Sequence, residues 1–451
     1  MTKQRRLPKR KRRTPSRRER GVALVMVLTV IAVITVMVSE MSQNTSTEFQ
    51  VSVNQRDRVR AEFLARSGTN LMRLLLAQEP LITRAVSPFV SMILGHSIPQ
   101  INVWRFADTI LAPFANYGSA KRASTSIGID FNQMRGLADT GGSFEITAFP
   151  ENSKLNVNNP VYTDDPAGSL RLAKQLYSMM GGFQTQGPND ALFNKLDADG
   201  QQTTRLDIVS DIIDWWDPDE QRTVFDPGRL EVTAAGGEDD IYARFTDPYR
   251  VKNSPFDSLE ELRMVRGIGD DFWATFIDPN PDDPRARRVT VYGSGSVNPN
   301  EAPPDVLLAR VCSVQALQMQ PLCQDPVQAM GFLQLLGTVR ALAPIPWFGT
   351  ATEFTDFLQG KGQLYTLLAT VLTAQNPLLQ WKVVIPQPIP PDLNNAFIFK
   401  ASIFTIQTIG RVGHTSVRLN MIVNTDPNWL PPPMTTARAA PMGIIIHYRV
   451  D

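Results

Sequence analysis

The sequence predicts an α+β fold: a long N-terminal helix, an antiparallel sheet and an inserted all-α domain. Three observations predict it. No proline interrupts the chain from Val22 to Glu79, so one helix can run that far. Polar and apolar residues alternate over Ser143–Phe149, and β-like runs return at Ala396–Ile409, Thr415–Val423 and Gly443–Val450. Between them, apolar residues recur at helical spacing over Ser169–Met180 and Leu206–Trp216. The 451 residues, 43% hydrophobic and 20% charged, suit a globular chain of two or three domains. That composition excludes a disordered, collagen-like or disulfide-dense chain.

The long helix begins in a marked charge asymmetry. Residues 1–20 hold eleven Lys or Arg and one acid, which leaves 34 bases against 43 acids for the remainder. An acidic body disfavours nucleic acid as a partner and leaves cation binding open. After Gly21 an uncharged apolar run extends from Val22 to Val38, about 25 Å of helix and close to a bilayer core. The preceding cations place the N-terminus in the cytoplasm and the body across the membrane. A secretory signal peptide is the alternative, but no A-x-A-like site follows the run. Val59, Phe63, Leu64, Leu71, Leu74 and Leu75 continue the pattern as an amphipathic stem.

The remaining elements follow in order. Residues 81–141 read as loops with short helices, and a strand at 143–149 leads into an Asn-rich segment ending at Asn159. A third helix is expected at Ser258–Arg266, a strand at Arg288–Tyr292, and helices at Pro303–Val311, Val327–Leu342 and Glu353–Leu358. Pro-rich stretches at Ile385–Pro391 and Pro431–Pro433 separate the late pieces. The expected organisation is a basic leader (1–21), a transmembrane and stem helix (22–80) and the first part of an α+β domain (81–159). An inserted helical domain (160–287) and the second part of the α+β domain (288–451) complete it.

Catalytic motifs are missing. The sequence has no GxSxG elbow, P-loop, dinucleotide glycine pattern or HExxH, so an enzyme is not expected. Cys312 and Cys323, eleven apart, fit either a disulfide in an oxidising compartment or two buried thiols. The segment Asp207–Asp247 holds twelve acids opposed by Arg222, Arg229 and Arg244. So many carboxylates in 41 residues need a bound cation or a fully solvated face. Leu196–Gly200 begins like an EF-hand loop but places its glycine at position four and lacks the closing Glu. Val265–Gly269 looks like a helix-hairpin-helix turn, yet its flanks are net acidic, so a structural turn is expected. Trp215 and Trp216 are expected in the core of the insert.

Arg17-Arg18-Glu19-Arg20-Gly21, followed at once by Val22-Ala23-Leu24-Val25-Met26, resembles the class III signal of type IV prepilins and pseudopilins. In that family a prepilin peptidase cuts after the glycine, here between Gly21 and Val22, and the apolar helix is retained. Members carry Glu at the fifth mature position, where this chain has Met26. That departure resembles the minor pseudopilin K of type II secretion systems, as do Ala61–Gly68, Lys154–Asn158, Ser258–Gly267 and Val297–Pro303. The resemblance implies a pseudopilin fold and a single-pass inner-membrane protein with a periplasmic body. It implies a complex with minor pseudopilins I and J that initiates or caps the pseudopilus tip, with secretin and secreted cargo as further contacts. It also implies calcium in the acidic insert, expected on Asp217, Asp219, Glu238 and Asp240, with Asp214 and Asp239 in reserve. A minor pilin of a type IV pilus, or an anchored DNA-uptake protein using the Gly267 turn, are the alternatives.

Overall fold

The computed structural model describes residues 17–94, 98–115, 141–158, 166–184, 187, 189–193, 196, 200, 202–245, 247–342, 346–362, 365–366, 381, 383–426 and 442–451. Most of the basic leader, much of 81–141, nearly all of 424–442 and the middle of the EF-hand-like segment lie outside them. In chain order the elements are α1 (Arg17–Leu94), α2 (Ala107–Ala115), β1 (Gly142–Pro150), β2 (Leu155–Asn156), α3 (Pro166–Met179) and α4 (Arg205–Trp216). A hairpin of β3 (Gln221–Asp226) and β4 (Glu231–Gly237) follows, then β5 (Val289–Thr290), α5 (Pro304–Cys312), α6 (Pro326–Leu342) and α7 (Ala351–Leu358). Strands β6 (Ile403–Val412), β7 (Thr415–Asn424) and β8 (Ile444–Val450) close the chain.

Helix α1 spans 78 residues and runs past the expected end at residue 80, through Pro80 and Pro88. Each proline removes one backbone hydrogen bond, and docking of this stretch offsets the loss. Glu79 is buried and accepts from Gln100 Nε2 at 3.2 Å and from the Thr83 hydroxyl. Thr83 Oγ1 in turn accepts from the Ile101 amide at 2.8 Å.

The sheet is antiparallel in the order β1-β6-β7-β8. It grips α1 through Ala61, Leu64, Ala65, Met72 and Leu76, all buried. Small residues set how close the helix comes. A Cβ on Gly68 would stand 2.9 Å from both Phe144 Cδ2 and Thr408 Cγ2, and one on Gly410 would run into the Ala61 carbonyl. Thr69 Oγ1 lies 2.9 Å from Thr408 Oγ1 and donates to the Ala65 carbonyl, satisfying buried hydroxyls at the contact.

A second core runs from Leu155 to Phe397 and joins α3 to α7. Residues 288–397 therefore pack with the helical block, and the line expected at 287 does not mark a change of core. Two expected elements are shorter: Ser258–Arg266 is a tight 3-10 segment at Leu259–Met264, and the strand near 290 is only Val289–Thr290, parallel to β2. The β3–β4 hairpin occupies what the sequence leaves as acidic loop. Cys312 and Cys323 are joined in a disulfide with Cα atoms 5.5 Å apart.

The Asn-rich motifs act as backbone substitutes where chain segments cross. Asn152 Oδ1 accepts from the Ser402 and Ile403 amides, and Asn158 bridges Phe256 and Val291. Asn300 Oδ1 takes the Trp347 and Phe348 amides while its Nδ2 donates to the Phe348 carbonyl. Gly267 (φ +82°) turns tightly against α4, since a Cβ there would meet Thr203 and Ile208 at 2.6 Å and 2.8 Å. It is a packed turn, as expected.

Candidate metal centre

Helix α4 positions the acids. It opens with a capping box: the Thr204 hydroxyl accepts from the Asp207 amide, and the Asp207 carboxylate accepts from the Thr204 amide. Ile208, Val209, Ile212, Ile213, Trp215 and Trp216 then bury its apolar face. Asp211 and Asp214, three residues apart, point into the same buried side at 0% and 1% exposure. Asp217 caps the helix, its amide donating to the Ile213 carbonyl, and is itself buried. The chain makes the hairpin and returns Glu238, 2% exposed, directly after β4.

One carboxylate oxygen each from Asp214, Asp217 and Glu238 lies within 4.8 Å of the others. Asp214 Oδ1 accepts from the Thr223 amide at 2.7 Å. Neither oxygen of Glu238 meets a hydrogen-bond donor. The nearby cation Arg222 serves elsewhere, 3.2 Å from Asp207 and 3.5 Å from Asp211. Burial, opposed by the Thr223 amide, pushes the Asp214 carboxyl up to about 7. Burial likewise lifts Asp211 to about 7. Glu238 is raised further, first by burial and then by the fields of Asp214, Asp217 and Asp219. The three buried carboxylates form a hard, all-oxygen donor set, which fits calcium and not zinc. A divalent ion held by Asp214, Asp217 and Glu238 would offset the cost of burying their ionised forms.

Of the six acids expected at the site, these three come together. Asp219 sits at the rim, its Oδ1 accepting from the Gln221 amide at 2.6 Å. Asp239 turns away, with Oδ1 taking the Val251 amide and Oδ2 3.7 Å from Arg250. Asp240 is exposed. Asp214, expected only in reserve, is central because it shares the buried face of α4. Asp211 was not among the expected acids. Its three- and four-residue spacing from Asp214 and Asp207 was the signal that could have marked it.

Gly21, Val22 and Met26 lie on the exposed first third of α1, where Met26 is 66% exposed. This stretch is long and apolar enough to cross a membrane, and none of it is buried in the protein.

Residues 153–276, which contain all three carboxylates, match the family model of type II secretion system (T2SS), protein K. Among curated proteins no sequence matches the chain. A chain in the crystal structure of the GspK-GspI-GspJ complex from the enterotoxigenic Escherichia coli Type 2 Secretion System is similar in structure. The two are 13% identical with a TM-score of 0.35, over 69% of this chain and 80% of that one. Over residues 153–276 the chain is therefore similar to type II secretion system protein K.

Proposed function

We propose that the chain is the minor pseudopilin that initiates or caps the pseudopilus tip of a type II secretion system, in complex with minor pseudopilins I and J. The observation that carries this reading is the surface of α1. Its first segment is apolar on every side and has no carboxylate at Met26. Further along, Phe63, Leu74, Leu81 and Met92 remain exposed. At 100° per residue they fall within about 20° of one another and roughly opposite Ala61, Ala65 and Met72, which face the sheet. The helix therefore has one apolar face for its own body and a second for neighbouring helices. A carboxylate buried in lipid is costly unless paired, so a subunit with none above it does best with Met26.

On this reading a prepilin peptidase cuts between Gly21 and Val22, the helix anchors the protein in the inner membrane, and the body stands in the periplasm. The Cys312–Cys323 disulfide accords with that oxidising compartment. Asp214, Asp217 and Glu238 would hold calcium, which would tie the end of α4 to the exit of the hairpin. Co-expression of the full chain with a prepilin peptidase and pseudopilins I and J tests the reading. A membrane-retained product beginning at Val22 that co-purifies with I and J supports it. A chain left uncut, or cut after Val38 and released, overturns it.

A further inference from the structure

From the open edge of the β3–β4 hairpin we infer an interaction surface: the outer edge of β4 receives an extended, basic strand from a partner protein. The register shows which backbone groups are available. Thr223 turns its amide away from β4 to the Asp214 carboxylate. In an antiparallel pair, the residue opposite such an outward group also points outward. Thr223 faces Ala234 and Phe225 faces Val232, so the amides and carbonyls of Val232 and Ala234 project from the free side of β4. Among the described residues no hydrogen bond to them is present. The other side of the hairpin is closed, because β3 packs on α4 with Thr223 and Phe225 buried.

Soluble proteins blunt such edges with lysines, prolines or inward charges. The run Val232-Thr-Ala-Ala-Gly-Gly237 has none of these, and Thr233, Ala234, Ala235 and Gly236 are all exposed. Small side chains leave the backbone open to a second strand, the arrangement used in β-strand addition. Charge selects the occupant. Residues 217–250 contain nine acids and four arginines, and Asp226 with Glu231 at one end and Asp239 with Asp240 at the other flank the edge. Even with a divalent ion at Glu238, that surface remains negative and favours a strand bearing lysine or arginine. The inference uses the hairpin register alone and does not depend on the chain being a pseudopilin.

The test uses the full chain in detergent and a capped peptide of alternating lysine and valine, eight residues long. A second peptide of identical charge carries N-methyl groups on alternate amides, and a third replaces lysine with glutamate. The first peptide should bind and slow hydrogen exchange at Val232 and Ala234 by about tenfold or more, while the other two bind at least about tenfold more weakly. Ala234→Pro removes an outward amide that the hairpin does not use, and should weaken binding by a similar factor. Thr233→Lys places a guarding charge on the edge and should do the same if the proline disturbs the fold. Equal binding of the N-methylated peptide would reduce the attraction to charge and overturn the inference. Equal binding of the glutamate peptide, no binding by the lysine peptide, or protection away from Val232 and Ala234 would do so as well.

Discussion

Individual carboxylates decide how the candidate metal centre behaves. In the cation-free protein, folding raises the Asp211 and Asp214 carboxyls from 3.8 to about 7. The folded state then holds more protons than the unfolded state between those values, so stability falls as pH rises. The favourable contribution is complete below about pH 4 and gone once pH passes 7. Thermal melting of the EDTA-treated protein should therefore drop across that window, and saturating calcium should flatten or reverse the trend. Glu238→Gln should raise the melting temperature of the cation-free protein near neutral pH, by removing the cost of keeping a buried carboxyl protonated, while abolishing the calcium response. At one hundred times the dissociation constant that response is worth about 2.7 kcal/mol in the parent protein. Asp240→Asn should keep the response, because Asp240 is exposed and outside the cluster. Asn300 gives a contrasting case. Asn300→Ala leaves the Trp347 and Phe348 amides without their acceptor and should cost roughly 2–4 kcal/mol, measured by denaturant unfolding.

At the scale of elements, α1 separates stability from assembly. Phe63→Lys changes a residue 63% exposed on the face away from the sheet. It should leave melting nearly unchanged, within about 0.5 kcal/mol, yet reduce co-purification with partner helices. Gly410→Val, at the helix–sheet contact, should do the opposite and destabilise by about 3 kcal/mol or more through overpacking against Ala61. Met26→Glu should impair assembly if the apolar fifth position matters, with subunit incorporation as the readout. Regular periodicity made most of these elements legible in sequence: α3 and α4 lie within three residues of their expected bounds, as do β1, β7 and β8. What escaped depended on distant partners. The end of α1 continues through two prolines because Glu79 and Thr83 meet Gln100 and Ile101. Strand β4, with Ala-Ala-Gly-Gly, has little strand propensity, and forms because β3 is pinned to Asp214 and Phe225 enters the core. The acids of the candidate metal centre were visible as a group. Their sorting was not, since only the fold shows that Asp214 faces inward and Asp240 outward.

The described residues form two cores joined across Glu151 and Lys154, a buried pair 2.9 Å apart. Glu151 also accepts from Thr405 in the sheet and Thr290 in the helical block, so both units share one carboxylate. Reduction of the Cys312–Cys323 disulfide, which closes a short loop in the second core, should lower stability by about 2–3 kcal/mol. The apolar core between α1 and the sheet begins at Ala61. The helix from Ser39 to Arg60 therefore forms a mast about 33 Å tall between the apolar segment and the body. Such a mast is also a rotary indexer. Removing seven residues from it would lower the body by about 10 Å and turn it by only about 20°, whereas removing five would turn it by about 140°. The facing of every surface on the body, including the open edge of β4, is thus set by the number of residues in the shaft below it.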